Sequence, residues 1–222
     1  MISSLDLSEL CPPDELRKRM ISLAILDAIM SPEWQYRYYS YDPRWRKDVT
    51  LASMRNGSGD DFFILFAPEG CVIKGFAHES SMSPYRLRRN IPHARGIWPG
   101  IYDAVPADLY QLIDNPALTL DDVTYCIWWH NSVPEWRMGV SDFPLEDDPD
   151  GSEGHLQILD GDPATYQEYA RQYYERETPI AVIRAIYAHY PVSKEAIQAL
   201  DPSANVERIF MDMRAYGYES RV

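Results

Sequence analysis

The sequence predicts an α+β fold, in which a central, mostly antiparallel sheet of about six strands packs against an N-terminal helix and a helical C-terminal region. Three patterns predict this fold. An apolar helical run lies near the N-terminus, aromatic and β-branched runs follow it, and the last third of the chain repeats apolar residues at helical spacing. Because 45% of the 222 residues are hydrophobic, the chain can bury a core of its own.

The first element is predicted to be a buried helix of about 18 residues. Prolines and acids in residues 12–15 suit the first helical turn, and Ser31 with Pro32 ends the helix. Residues 20–29 are apolar on nearly every helical face and are interrupted by Asp27. Such a pattern indicates a helix that is buried on more than one side.

Four aromatic or β-branched runs then predict a meander of strands. The runs are Trp34 to Tyr41, Asp48 to Arg55, Asp61 to Ala67 and Cys71 to His78. The turn Ala67-Pro68-Glu69-Gly70 suits type I geometry, so Ala67 should pair with Gly70, which sets Ile64 opposite Ile73. Both faces of this hairpin are apolar, which predicts a central position with protein on both sides.

The rest of the chain is predicted to complete the sheet and then to turn helical. Residues 80–106, rich in proline, glycine, serine and arginine, predict a long irregular excursion. A helix over residues 107–113 precedes a strand pair over residues 123–130 and 136–140. Helix starts are then predicted at Asp162-Pro163, Thr178-Pro179, Ser193 and Asp201-Pro202. The composition divides the chain into a helix-and-sheet part, residues 1–140, and an acidic loop with C-terminal helices, residues 141–222, packed on the same domain.

Charge and cysteine content exclude several classes of function. Thirty-four acids against 21 bases give a net charge of -13, which repels nucleic acid and anionic membranes. No apolar run approaches the roughly 20 residues that cross a bilayer, and the N-terminus carries acids where a secretory signal carries bases. Three widely spaced cysteines form neither a disulfide framework nor a metal knuckle. We therefore expect a cytoplasmic protein that needs no cofactor.

The predicted register gathers polar residues at one end of the sheet, a group that we call the His78 corner. Its members are Arg55, Asn56, Ser58, Asp60, Asp61, His78, Glu79 and Ser80. A histidine beside carboxylates can act as a general acid or base, so His78 with Asp60 or Glu79 is the candidate catalytic set. The structural alternative is two hairpin loops in which Arg55 pairs with Asp60 or Asp61.

Candidate binding residues combine this corner with the excursion. They are Arg55, Asp61, Arg86, Arg88, Arg89 and Arg95. No acid lies between Ser80 and Pro99, so the arginines reverse the charge locally, and the planar guanidinium binds carboxylates with two hydrogen bonds. These arginines contact either an external partner or the acidic loop of the same chain.

The acidic loop resembles part of a calcium-binding loop. Glu146, Asp148 and Asp150 have the spacing of calcium ligands. However, Gln157 stands where the bidentate glutamate belongs, and Pro149 does not suit such a loop. The alternative is a solvated loop whose carboxylates favour the amino ends of the following helices.

Several segments resemble a family of uncharacterised cytoplasmic bacterial proteins. The resembling segments are ASMRNGSGDDFFILF (residues 52–66), KGFAHES (residues 74–80) and DPDGSE (residues 148–153), together with residues 34–40 and 98–100. This resemblance implies a cytoplasmic location and assigns no catalytic role. The acidic charge, the α+β build and residues 105–110 also resemble immunity proteins of bacterial toxin systems, which implies that the chain binds a protein.

These patterns lead to two functional hypotheses. The first is a non-enzymatic intracellular module that binds a basic protein, in the manner of an immunity protein or antitoxin, because acidic and aromatic surfaces suit a cationic target. The second is a small-molecule hydrolase or transferase that uses His78 with Asp60 or Glu79. A deep pocket at the His78 corner would favour the enzyme, and an exposed acidic or aromatic face would favour the binding module.

Overall fold

The centre of the protein is a six-stranded antiparallel sheet whose strands follow one another in sequence order. The computed structural model describes residues 1–86, 96–140 and 142–218. The strands are β1 (Tyr39–Arg46), β2 (Val49–Arg55), β3 (Asp61–Ala67), β4 (Gly70–Phe76), β5 (Tyr125–His130) and β6 (Val133–Met138). This order places β1 and β6 at the edges and the β3–β4 hairpin in the middle.

The central hairpin has the predicted register and the predicted burial. Ala67 pairs with Gly70, and Ile64 pairs with Ile73. Successive side chains of a strand point to opposite faces, so Ile64 joins one apolar core while Leu65 joins a second core on the other face. The prediction of a hairpin that is covered on both sides is therefore confirmed.

Helices cover the sheet unequally. They are α1 (Pro13–Met30), α2 (Ala107–Ile113), α3 (Ser152–Leu156), α4 (Pro163–Tyr173), α5 (Ile180–Tyr187), α6 (Lys194–Leu200) and α7 (Val206–Ala215). Residues of α1 and of the C-terminal helices share one core with the sheet, while α2 and its neighbouring loops cover the other face. The predicted α+β fold with its N-terminal helix is confirmed. In the part of the chain that the structure describes, no helix has both the length and the apolar character needed to span a membrane.

A buried carboxylate joins the first helix to the sheet and to the C-terminal region. Asp27 accepts the backbone N–H groups of Tyr38 and Tyr39, each at 2.8 Å, and the hydroxyl of Tyr166 at 2.9 Å. Burial raises the pKa of Asp27 to about 6 in spite of these hydrogen bonds. The one acid in the apolar face of α1 thus fixes the start of β1 and the helix α4.

The first predicted strand is wrong in position. Residues Trp34–Tyr36 form a 3₁₀ turn, and β1 instead runs through Asp42 and Pro43, which the sequence suggested as a break. The pairing of β1 with β2 shifts register between Asp42 and Arg46. Proline is tolerated there because an edge strand needs no hydrogen bond from every backbone nitrogen.

Three other boundaries differ from the prediction. The turn between β5 and β6 is shorter than predicted, because Val133 and Pro134 belong to the edge strand β6. The last helix begins at Val206, where the side chain of Asn205 caps it, and not after Asp201. The acidic loop contains the short helix α3, which the sequence pattern did not indicate.

Candidate functional site

The His78 corner forms where β2 ends, β3 begins and β4 ends. Asp61 pairs with Phe76, so continuing the ladder places the preceding Asp60 beside Ala77, the neighbour of His78. Oδ1 of Asp60 accepts the backbone N–H of His78 at 2.8 Å and lies 2.6 Å from Nδ1 of the same residue. Its Oδ2 accepts the amide of Asn56 at 2.7 Å. The structure therefore brings His78 and Asn56 together around the Asp60 carboxylate.

Both ring nitrogens of His78 are engaged by carboxylates. Nδ1 faces Asp60, and Nε2 lies 3.1 Å from a carboxylate oxygen of Glu79. The hydrogen bond to Asp60 is the main cause that raises the pKa of His78 above its ordinary value. Two acceptors and a raised pKa favour the imidazolium ion. A general base needs a free ring nitrogen directed at the substrate, and this ring offers none.

A second histidine lies on the other side of Asp60. Nε2 of His155, on α3, is 3.9 Å from Oδ2 of Asp60, and its Nδ1 is 3.1 Å from the hydroxyl of Tyr125. A Cβ at Gly75 would overlap the Tyr125 ring, so this glycine makes room for the contact. Burial lowers the pKa of His155. Burial alone would raise the pKa of Asp60, but the hydrogen bonds from His78 and Asn56 together with the charge of His155 lower it.

Arg55 and Asp61 contact other groups than the sequence suggested. The guanidinium of Arg55 lies over the ring of Trp34, 4.5 Å from its centroid. Oδ1 of Asp61 lies 3.8 Å from Nζ of Lys74, a lysine with no exposed surface. Burial raises the pKa of Asp61 to about 6 and lowers that of Lys74. Asp61 therefore belongs to a buried charge pair below the corner, and Arg55 faces solvent beside it.

The excursion contributes one described arginine to the corner. Nη2 of Arg86 lies 3.0 Å from a carboxylate oxygen of Glu79. Both side chains are largely exposed, so this ion pair contributes little to stability. The other candidate arginines, Arg88, Arg89 and Arg95, lie outside the described residues.

The suggested calcium ligands have separate structural partners. Asp150 is buried and accepts the hydroxyl of Ser4 at 2.5 Å and the backbone N–H of Ser152 at 2.9 Å. Asp148 accepts backbone N–H groups from the first turn of α3, which is the helix-capping alternative. Glu146 is exposed. Within residues 1–86, 96–140 and 142–218, no three acidic, histidine or cysteine side chains are grouped to hold a metal ion.

Residues 142–148, which we call the acidic segment, point their remaining charges into solvent. The side chains of Asp142, Glu146 and Asp147 are exposed and form no ion pair with a described residue. Leu145, in their midst, is fully exposed. The segment is held at its base, since the indole N–H of Trp98 donates to the Asp142 carbonyl at 3.0 Å. An exposed apolar side chain thus lies in sequence between carboxylates that form no ion pair with a described residue.

The carbonyl of Pro149 anchors the other end of the acidic segment. It accepts the Ser81 hydroxyl at 3.1 Å and the backbone N–H of Met82 at 3.4 Å. The next carbonyl, that of Asp150, accepts the hydroxyl of Thr124 at 2.7 Å. The segment is therefore a loop with two fixed ends, which limits the conformational entropy that binding would cost.

A further histidine, which the sequence did not single out as a site, lines a cavity of about 570 Å³ beside β6. Nδ1 of His130 lies 2.6 Å from the Ser132 hydroxyl, and Nε2 lies 3.1 Å from Asp108. The backbone N–H of Ser132 also donates to Nδ1, at 3.2 Å. Nδ1 of His130 thus accepts two hydrogen bonds from Ser132, which closes the β5–β6 turn. The side chain of Asp108, beside Nε2, is half exposed. We assign this set to the turn.

No family model, curated protein or solved structure matches the chain. The resemblance to bacterial cytoplasmic and immunity proteins therefore stays a prediction, and the residues described above are the basis for a functional proposal.

Proposed function

We propose that the protein is a cytoplasmic, non-enzymatic module that binds a basic protein, and that it acts as an immunity protein or antitoxin does. The observation that carries this proposal is the fully exposed Leu145 among the exposed carboxylates of the acidic segment. Interfaces combine an apolar anchor with a polar rim, and the rim selects the charge of the partner.

Electrostatics supports a cationic partner. The chain carries a net charge of -13, which accelerates encounter with positive surfaces and opposes encounter with negative ones. Asp142, Glu146 and Asp147 form no ion pair with a described residue, and their exposed side chains support a contact with a cationic partner. We expect the partner to present lysine or arginine side chains around a pocket that accepts Leu145.

The hydrolase or transferase alternative has weaker support. It needs His78 as an acid or base, yet Asp60 and Glu79 engage both ring nitrogens. A substrate would have to displace Glu79 before it reached the ring.

The experiment is affinity capture from a native lysate of the source cells at low salt and at high salt. We expect wild type to retain a basic protein at low salt and to release it at high salt. Leu145→Ser should lose the protein. Met211→Ser is the matched control, because Met211 is 63% exposed on α7, outside the acidic segment. Capture of no basic protein, or equal capture by Leu145→Ser and wild type, would refute the proposal.

The inhibitory role has its own test. The captured protein is expressed alone in a heterologous bacterium and then together with this chain. We expect growth inhibition in the first case and recovery in the second, and recovery should fail with Leu145→Ser. A captured protein that leaves growth unaffected would rule out the immunity or antitoxin role and leave the binding role intact.

A further inference from the structure

A second cavity, of about 340 Å³, lies at the edge of the sheet on the face that α2 covers. It exists because small residues occupy neighbouring positions on β1 and β2. Ser40 pairs with Ser53, and Ser53 pairs with Phe63, so the two serines lie side by side on one face of the sheet. Trp34 and Trp45 also line the cavity.

Two polar atoms of the lining are buried without a partner. Oγ of Ser40 and Nε1 of Trp45 are buried and have no hydrogen-bond partner among the described residues. Buried polar groups are nearly always satisfied, so an orphaned pair in the lining of one cavity requires an explanation. Neither atom is exposed to the cavity in the free protein, so a ligand that supplies acceptor atoms would satisfy them only if the two side chains turn toward it.

The charge of the lining indicates which acceptor fits. The guanidinium of Arg55 stacks on the ring of Trp34 and so remains at the cavity. Asp42 is the one carboxylate among the described lining residues, and its Oδ1 already accepts the backbone N–H of Arg44 at 2.8 Å. An arginine, an indole N–H and a hydroxyl together favour an anionic acceptor, and arginine binds carboxylates with two hydrogen bonds.

The apolar part of the lining indicates the body of the ligand. Leu51, Phe63 and Leu118 line the cavity, together with the indoles of Trp34 and Trp45. Pockets for small molecules combine such apolar walls with a few placed polar groups. We propose that this cavity binds a small organic carboxylate with an apolar ring.

This site goes beyond the proposed function and is independent of it. Leu145 and the carboxylates of the acidic segment do not line the cavity. A variant of the cavity should therefore leave partner capture unchanged, and a variant of the acidic segment should leave carboxylate binding unchanged.

The test uses phenylacetate, benzoate and cyclohexanecarboxylate as probes, and 2-phenylethanol as the neutral counterpart of phenylacetate. Calorimetric titration of the full chain should give saturable binding of at least one carboxylate, with a Kd of about 0.1 to 10 mM for ligands of this size. The neutral alcohol should bind about tenfold more weakly, because it forms no charge-assisted hydrogen bond with Arg55.

Variants locate the binding. Arg55→Gln should weaken carboxylate binding about tenfold. Arg137→Gln is the matched control, because Arg137 pairs with Glu135 on the opposite edge strand. Ser53→Leu should fill the cavity and abolish binding, with thermal unfolding as the check that the variant is folded. Absence of saturation by all three carboxylates, equal binding of the alcohol, or unchanged binding by Arg55→Gln would each overturn the proposal.

Discussion

The His78 corner and the acidic segment both contain several carboxylates, but they use them in opposite ways. In the corner, Asp60 and Glu79 each contact one or more side chains of the same molecule. In the acidic segment, Glu146 and Asp147 point into water and form no ion pair with a described residue. Carboxylates with internal partners stabilise the fold, whereas carboxylates without partners keep their charge for another molecule.

The contrast between the two regions also shows that a residue type does not by itself determine the role of the residue. A histidine between acids is the pattern that suggests catalysis, yet both nitrogens of His78 are engaged in the folded protein. An acidic loop with an exposed leucine carries no catalytic pattern, yet its groups are free to contact a partner. Hydrogen-bond satisfaction therefore distinguishes the two regions better than composition does.

The largest effect is expected for Asp60→Ala. Removing this carboxylate leaves the backbone N–H of His78 and the amide of Asn56 without their acceptor, so the free energy of unfolding should fall by about 2 to 3 kcal/mol. Urea unfolding followed by circular dichroism measures it. Asp147→Ala is the control and should change stability by less than about 0.5 kcal/mol. Equal losses in the two variants would remove the distinction between the regions.

A smaller effect on the free energy of unfolding is expected for the acids of residues 146–150. Asp150→Ala removes the acceptor for the Ser4 hydroxyl and for the Ser152 N–H, which should cost about 1 to 2 kcal/mol. Glu146→Ala, four positions earlier, should cost almost nothing in the same urea experiment. If neither variant changed the free energy of unfolding, the buried Asp150 would have no structural role.

The smallest effect concerns pH. The pKa of His78 is raised in the folded protein, so its ion pairs contribute fully below about pH 6.5 and are lost as the pH rises through the folded-state pKa. The pKa of Asp60 is lowered, so its contribution is lost only when the pH falls well below about 4. His78→Gln should therefore lose more stability at about pH 5.5 than at about pH 9.

The size of this difference is limited by solvent. The His78 side chain is 35% exposed, so screening reduces the expected difference to about 0.5 kcal/mol. Urea unfolding of wild type and His78→Gln at the two pH values measures it. A larger loss at the alkaline pH would contradict the charged state assigned to His78.

Sequence reasoning reached the His78 corner because one turn determines the hairpin register. Once Ala67 pairs with Gly70, the ladder has a fixed alternation, and its continuation places Asp60 beside Ala77 and Gly59 beside His78. The same reasoning placed Glu79 in the corner but could not show that Asp60 and Glu79 contact the ring together, because the direction of a side chain beyond a strand end depends on tertiary contacts. It therefore missed that Nε2 of His78 is engaged.

The two proposed binding regions were harder to predict from sequence. The cavity at Ser40 and Ser53 depends on the position of β1, and the sequence pattern suggests a break at Pro43, which an edge strand tolerates. Asp150 is buried while Glu146 is exposed. No local sequence pattern distinguishes these two acids, which lie four residues apart in one loop. Their difference comes from the docking of Asp150 against Ser4, which is distant in sequence.

The most direct measurement of the central claim is the affinity for the purified basic partner at several salt concentrations. Wild type is compared with the triple variant Asp142→Asn, Glu146→Gln, Asp147→Asn and with His78→Gln. The triple variant should bind at least about tenfold more weakly at low salt and should lose much of the salt dependence, while His78→Gln binds like wild type. Wild-type affinity in the triple variant, together with weakened binding by His78→Gln, would contradict the claim.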